Sequence, residues 1–192
     1  MSAEPHAPPL RRLFLALWPE ASMRARLAEA VYPSVSACAG QAVPASHYHL
    51  TLVFIGAVPE TRLEALDVAI KAAARHFAGT SSIEMALQDL VYWSAPRVLC
   101  AVPRTAPAGL AERASAVRAA LVTAGFAPDL KPFRPHVTVA RKVKRPSDSV
   151  LPDAVLWRFD ACALIDSRTV TAGPVYSVVQ TYPLVGGVLA AK

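Results

Sequence analysis

The sequence predicts an α+β fold built from two related lobes. Three observations predict it. Strand-like and helix-like segments follow one another in the order β-α-β-α-β-β-α-β-loop-β-β. A His-x-Thr triplet occurs twice, at His49–Thr51 and His136–Thr138, 87 positions apart in a chain of 192 residues. Each triplet lies on a strand-like run that follows a helix able to cross back over a sheet. No shift in composition separates the halves, so one domain over residues 11–192 is expected. A loose, Pro-rich tail that includes His6 is expected at residues 1–10.

The elements follow from local pattern. RRLFLALW is short, apolar and stopped by Pro19, which reads as a buried strand. From Glu20 to Ala37, Met23, Leu27, Ala30 and Val31 recur at helical spacing. Residues 48–56 are β-branched and aromatic, a strand. Pro59-Glu60 then opens a helix with Leu63, Leu66, Ile70 and Ala74 on one face, ending near Phe77. Ser81 to Trp93 alternates as a strand, with a bulge expected near Gln88-Asp89. Arg97–Val102 is a strand after a Ser-Ala-Pro turn. Ala106–Ala124 is a helix with Leu110, Ala114, Val117 and Leu121 inward and Gly125 as its stop. Pro135–Arg141 is the second triplet strand. A basic loop over 142–154 follows, then strands at Trp157–Ile165 and Val175–Tyr182.

Composition narrows the class. The chain is 54% hydrophobic and 18% charged, which excludes general disorder. Its net charge of +6 fits an anionic partner such as phosphate or nucleic acid, and equally fits simple solubility. Cys38, Cys100 and Cys162 are odd in number and sit among apolar residues. They read as reduced, buried thiols of a cytoplasmic protein, not as a disulfide framework or a zinc site. Arg11-Arg12 before an apolar run resembles a signal peptide, but the run is too short and ends at Pro19-Glu20. No stretch approaches the roughly 20 apolar residues of a membrane span.

On a strand, residues two apart share a face, about 7 Å from one another. His49 and Thr51 therefore point one way and Leu50 and Leu52 the other. His136 and Thr138 stand likewise against Val137 and Val139. Two such strands beside one cleft present two imidazoles and two hydroxyls. That set suits in-line displacement at a phosphate ester. One histidine takes a proton from the nucleophile and the other gives one to the leaving oxygen. Hydroxyls and a nearby arginine hold the phosphate oxygens. A single triplet has a good core-packing explanation; two matched copies do not. A zinc site on His47 and His49 lacks an adjacent Asp, Glu or Cys, so no metal and no cofactor is expected. His47 reads as a rim residue and His76 as a helix cap or surface residue. Tyr48 is expected on the face opposite His49.

HLTLVFIG and PHVTVAR resemble the paired signatures of the 2H phosphoesterases. Within them they are most similar to the bacterial and archaeal RNA 2′,3′-cyclic phosphodiesterases, historically called 2′-5′ RNA ligases. RRLFLALWP resembles that family's opening strand and WSAPRVLCAV its middle hairpin. Leu164-Ile165-Asp166-Ser167-Arg168, followed by Gly173-Pro174-Val175-Tyr176, resembles its closing hairpin. The likeness spans residues 11–184. It implies two antiparallel sheets facing a central cleft with pseudo-twofold symmetry, helices outside. It implies hydrolysis of an RNA-terminal 2′,3′-cyclic phosphate to a 2′-phosphate, by a monomer, on RNA, oligonucleotides or small cyclic nucleotides. His49 would be the general acid and His136 the base, although spacing alone leaves the two exchangeable. Thr51 and Thr138 would bind phosphate oxygens, with Arg141 as a further positive contact and Arg134 as a weaker candidate. Phe14 and Trp93 are candidates for stacking on a terminal base. The chain departs from the family pattern at His47 and in the 142–152 loop. The same four residues would also serve a 2′-5′-linked oligonucleotide or an ADP-ribose cyclic phosphate. A non-catalytic nucleotide- or RNA-binding module is the reading from another class.

Overall fold

A computed structural model describes residues 8–74, 82–171 and 173–184. Its elements are β1 (Leu10–Leu17), α1 (Ala21–Ala37), β2 (Gln41–Ala42), β3 (Leu50–Pro59), α2 (Leu63–Ala74), β4 (Ile83–Trp93), β5 (Val98–Val102), α3 (Leu110–Thr123), β6 (Val137–Arg141), β7 (Ser149–Phe159), β8 (Ala161–Val170) and β9 (Gly173–Pro183). Two wholly antiparallel sheets result. The first has the order β3-β1-β8-β9 and the second β2-β6-β5-β4-β7. The expected α+β architecture of two sheets about a cleft is the observed one.

Alternation in β1 sorts its residues between two environments. Leu13, Leu15 and Leu17 join the main core, while Phe14 and Ala16 join Ala163 and Ile165 of β8 in a smaller cluster on the opposite face. The helices exchange sheets. The helix after β1, α1, packs on β7 and β6 of the second sheet, where the Trp157 indole N–H donates to the Met23 carbonyl at 3.1 Å. The helix after β5, α3, packs on α2 and on β3 of the first sheet. Its buried residues are Leu110, Ala114, Val117 and Leu121, the stripe that the sequence pattern predicts.

Three boundaries differ from expectation. The strand expected at Trp157–Ile165 is two strands in two sheets: β7 ends at Phe159, Asp160 turns, and β8 begins at Ala161. No Gly or Pro marks this switch, so the apolar run reads as continuous. The basic loop is shorter than expected, because β7 starts at Ser149 and pairs with Leu90 of β4. An isolated β4 pattern carries no information on that partner. The first strand starts at Leu10, inside the expected tail. The bulge expected near Gln88-Asp89 is present, between Leu87 and Asp89. His6, His76, Phe77 and Ser81 lie outside the described residues. The three cysteines are unpaired and buried. No helix among the described residues is long and apolar enough to cross a membrane.

Candidate active site

The two triplet strands occupy matching places. β3 pairs with β1 and β6 pairs with β5, the strand that precedes a helix in each case. Thr51 stands opposite Ala16, and Thr138 opposite Cys100. In each pair the register slips directly after the threonine, so that Leu52 and Val139 are the extra residues of two bulges. Both enter the main core together with the residues that follow them, Val53 and Ala140. The bulges thus turn aliphatic side chains inward on one side and leave each threonine half-buried on the other. Tyr48 is buried in the core, on the face expected for it.

Both imidazoles are held by the same device. The Nδ1–H of His49 donates to the His47 carbonyl at 2.6 Å, and that of His136 to the Arg134 carbonyl at 2.7 Å. A carbonyl only accepts, so Nδ1 carries the hydrogen in each ring and Nε2 is left with its lone pair. His49, Thr51, His136, Thr138 and Arg141 line one cleft of about 950 Å³, with His47 at its side. Burial pushes the His49 imidazole down to about 4, and the charges of His136, Arg141 and His47 act in the same direction. Burial, then Arg141, also lowers His136. His47 is lowered by burial, Arg141 and Arg24. At neutral pH the cleft therefore presents uncharged imidazoles beside a cationic guanidinium. Among the described residues no group of three or more His, Cys, Asp and Glu stands together as metal ligands.

The two aromatics expected to stack on a base are placed differently. Phe14 is only 4% exposed and lies under His49, ring centroids 4.9 Å apart. It lines the cleft, but its ring packs against the imidazole and, edge-on, against Tyr176 at 5.4 Å. The exposed ring on that wall is Phe54, turned toward the cleft by the β3 bulges. Trp93 packs on His136, centroids 4.5 Å apart, but is not among the cleft-lining residues. Arg134 offers its backbone carbonyl to His136, and its side chain likewise is not part of the lining.

Sequence reasoning missed Trp18 and Tyr176. Trp18 stacks on His49 at 5.5 Å, and Tyr176 meets it edge-on at 5.4 Å. Trp18 was within reach of the pattern, since one residue beyond β1 it continues the alternation of Phe14 and Ala16 and packs against their cluster. Tyr176 was not, because its position depends on β9 pairing with β8 and β8 with β1.

The paired sheets, the duplicated bulged strands and the shared cleft define a two-lobed phosphoesterase architecture of the 2H type. The family model described as the 2′-5′ RNA ligase superfamily matches residues 17–171. The RNA 2′,3′-cyclic phosphodiesterase of Thermus thermophilus is 30% identical over 196 residues, covering 91% of this chain and 91% of that protein. The protein of the same name from Escherichia coli is 27% identical, covering 78% of this chain and 81% of its own length. That from Geobacillus stearothermophilus is 30% identical, and the chain spans 46% of its length. The crystal structure of E. coli LigT complexed with 3′-AMP superposes with a TM-score of 0.80 at 23% identity, over 91% of this chain and 98% of that one. The chain belongs to the 2′-5′ RNA ligase superfamily.

Proposed function

We propose that the protein is an RNA 2′,3′-cyclic phosphodiesterase, acting without a metal on a 2′,3′-cyclic phosphate at an RNA end. The observation that carries this reading is the pair of imidazoles fixed in one tautomer by equivalent Nδ1–H bonds beside one cleft. His136 takes a proton from water as the water oxygen attacks phosphorus opposite the 3′ oxygen. The P–O3′ bond breaks, and His49 gives its proton to O3′, leaving a 2′-phosphate and a 3′-hydroxyl. Thr51 and Thr138 donate to the non-bridging oxygens, and Arg141 offsets their charge. The anionic phosphate itself raises both imidazoles on binding and so favours the protonated partner. The reading takes residues 11–192 as one two-lobed domain, a monomer in the cytoplasm.

The test offers purified protein a nucleoside 2′,3′-cyclic monophosphate in the presence of EDTA. The expected product is the 2′-phosphate. His49→Ala and His136→Ala are each expected to lower kcat by about 10²–10⁴-fold while keeping the fold. No turnover on cyclic mononucleotides or on RNA ending in a cyclic phosphate would overturn the reading, and loss of turnover in EDTA its metal-free part.

A further inference from the structure

The cleft continues well beyond the two triplets. At about 950 Å³ it lies at the top of the roughly 300–1,000 Å³ range of small-ligand sites. Its far wall is formed by Arg12 of β1, Ser167 and Thr169 of β8, and Pro174 of β9. Arg12 shares the cleft face of β1 with Phe14 and Ala16. Four residue steps along the strand separate it from Ala16, which sits opposite Thr51, so it stands about 13 Å along the sheet from that threonine. One phosphate group does not span that distance.

The two consecutive arginines are used differently. Arg11 faces away from the cleft and is bound by the buried carboxylate of Asp166 at 2.9 Å, which also takes Arg168 at 3.2 Å. Arg12 is exposed and makes no ion pair with any described carboxylate. The register of β1 against β8 sets it beside Ser167, one step beyond the Leu13–Asp166 pair. Among the described residues the one carboxylate lining the cleft, Asp129, is already engaged by the Lys131 backbone N–H at 2.9 Å and the Lys131 ammonium at 3.5 Å. A guanidinium with no carboxylate partner among the described residues, beside two hydroxyls, is a donor set for a phosphodiester.

We propose that Arg12, Ser167 and Thr169 form a second phosphate subsite, which binds a backbone phosphodiester on the 5′ side of the cyclic end. The inference rests on the cyclic phosphodiesterase reading and names its substrate class as an oligonucleotide, not a mononucleotide. The cyclic phosphate occupies the 3′ terminus, so the rest of the strand leaves the triplets through its 5′ phosphate and runs along the sheet toward Arg12. Phe54, on the wall between, offers its exposed ring to an intervening base.

The experiment compares kcat/KM for a nucleoside 2′,3′-cyclic phosphate with that for a trinucleotide ending in the same group, in the wild type, Arg12→Ala and Arg12→Lys. The wild type is expected to prefer the trinucleotide. Arg12→Ala is expected to lower that preference by about tenfold, through KM, and Arg12→Lys by less. The preference is also expected to weaken with added salt in the wild type and to lose most of that dependence in Arg12→Ala. A wild type that hydrolyses both substrates with equal kcat/KM overturns the subsite and leaves the cyclic phosphodiesterase reading standing. An undiminished preference in Arg12→Ala overturns it too. Absence of turnover on either substrate removes both.

Discussion

Trp18 stacks on His49 with ring centroids 5.5 Å apart and planes 25° from parallel. Phe14 and Tyr176 close two more sides of the imidazole, whereas Trp93 meets His136 tilted at 51°. The ring of His49 is thus held in an aromatic enclosure, which both orients it and favours its neutral form. Trp18→Ala opens that enclosure to water. The His49 pKa is then expected to rise from about 4 toward 6.5, followed by NMR titration of the imidazole C–H signals. Turnover is expected to fall by roughly 10- to 100-fold as the ring loses its support. An unchanged titration would show that Trp18 has no part in the depression.

Both triplet histidines are lowered from 6.5 in the free protein. The profile of kcat/KM against pH reports the free enzyme, so its maximum is expected below pH 6.5 whichever histidine is the acid. Substrate charge raises both groups, which moves the optimum of kcat to higher pH. Arg141→Gln removes one charge that lowers both imidazoles and is expected to shift the kcat/KM maximum upward. Steady-state kinetics across the acid range reads both shifts. A maximum on the alkaline side of neutrality would contradict the arrangement.

The same depression makes stability depend on pH. In the unfolded chain His49 takes up a proton near 6.5, and in the folded chain only near 4. Between these values the unfolded state binds more protons, so stability is complete above 6.5 and falls as pH drops toward 4. The share of His49 is on the order of 2 kcal/mol after allowance for its partial solvation. His136 and His47 add in the same direction. Urea midpoints compared at about pH 7.5 and about pH 4.5 are expected to differ less in His49→Gln than in the wild type. Equal differences in the two proteins would refute the assignment.

Gly40 lets the chain lie directly against the strand that carries Arg141. A Cβ at this position would meet the Arg141 carbonyl oxygen at 2.8 Å and the Cys38 sulfur at 3.2 Å. The neighbouring contacts are tight as well, with Val43 N–H donating to Val139 at 2.9 Å. Gly40→Ala is therefore expected to cost roughly 1–3 kcal/mol and to displace Arg141. Thermal unfolding measures the first effect. The second is read as a rise in KM with kcat less affected, since Arg141 would contact the phosphate in ground and transition states alike.

The triplets, the helical stripes and the two-sheet plan were legible because each rests on a local period of 2 or 3.6. The aromatic enclosure was legible only in part. Phe14 is visible from alternation on β1, but its burial depends on β8, which lies some 150 residues further along. Bulges defeat alternation outright: Phe54 reaches the cleft because the register slips twice in β3. The switch at Asp160 was hidden for a related reason. Val155, Trp157 and Phe159 face inward in one sheet, and Cys162, Ala163 and Leu164 are buried in the next, so hydrophobicity shows no break where the partners change.

That switch also divides the chain in time. The second sheet has all its strands once Phe159 is made, whereas the first needs β8 and β9, and its Arg11–Asp166 contact spans 155 positions. During synthesis β1 keeps one open edge until β8 is made, and the Tyr176 side of His49 closes only with β9. A fragment ending at Phe159 would hold every strand of the His136 sheet beside a β1 paired on one edge only, with β3, and open on the other, the kind of edge that chaperones bind and that aggregation exploits.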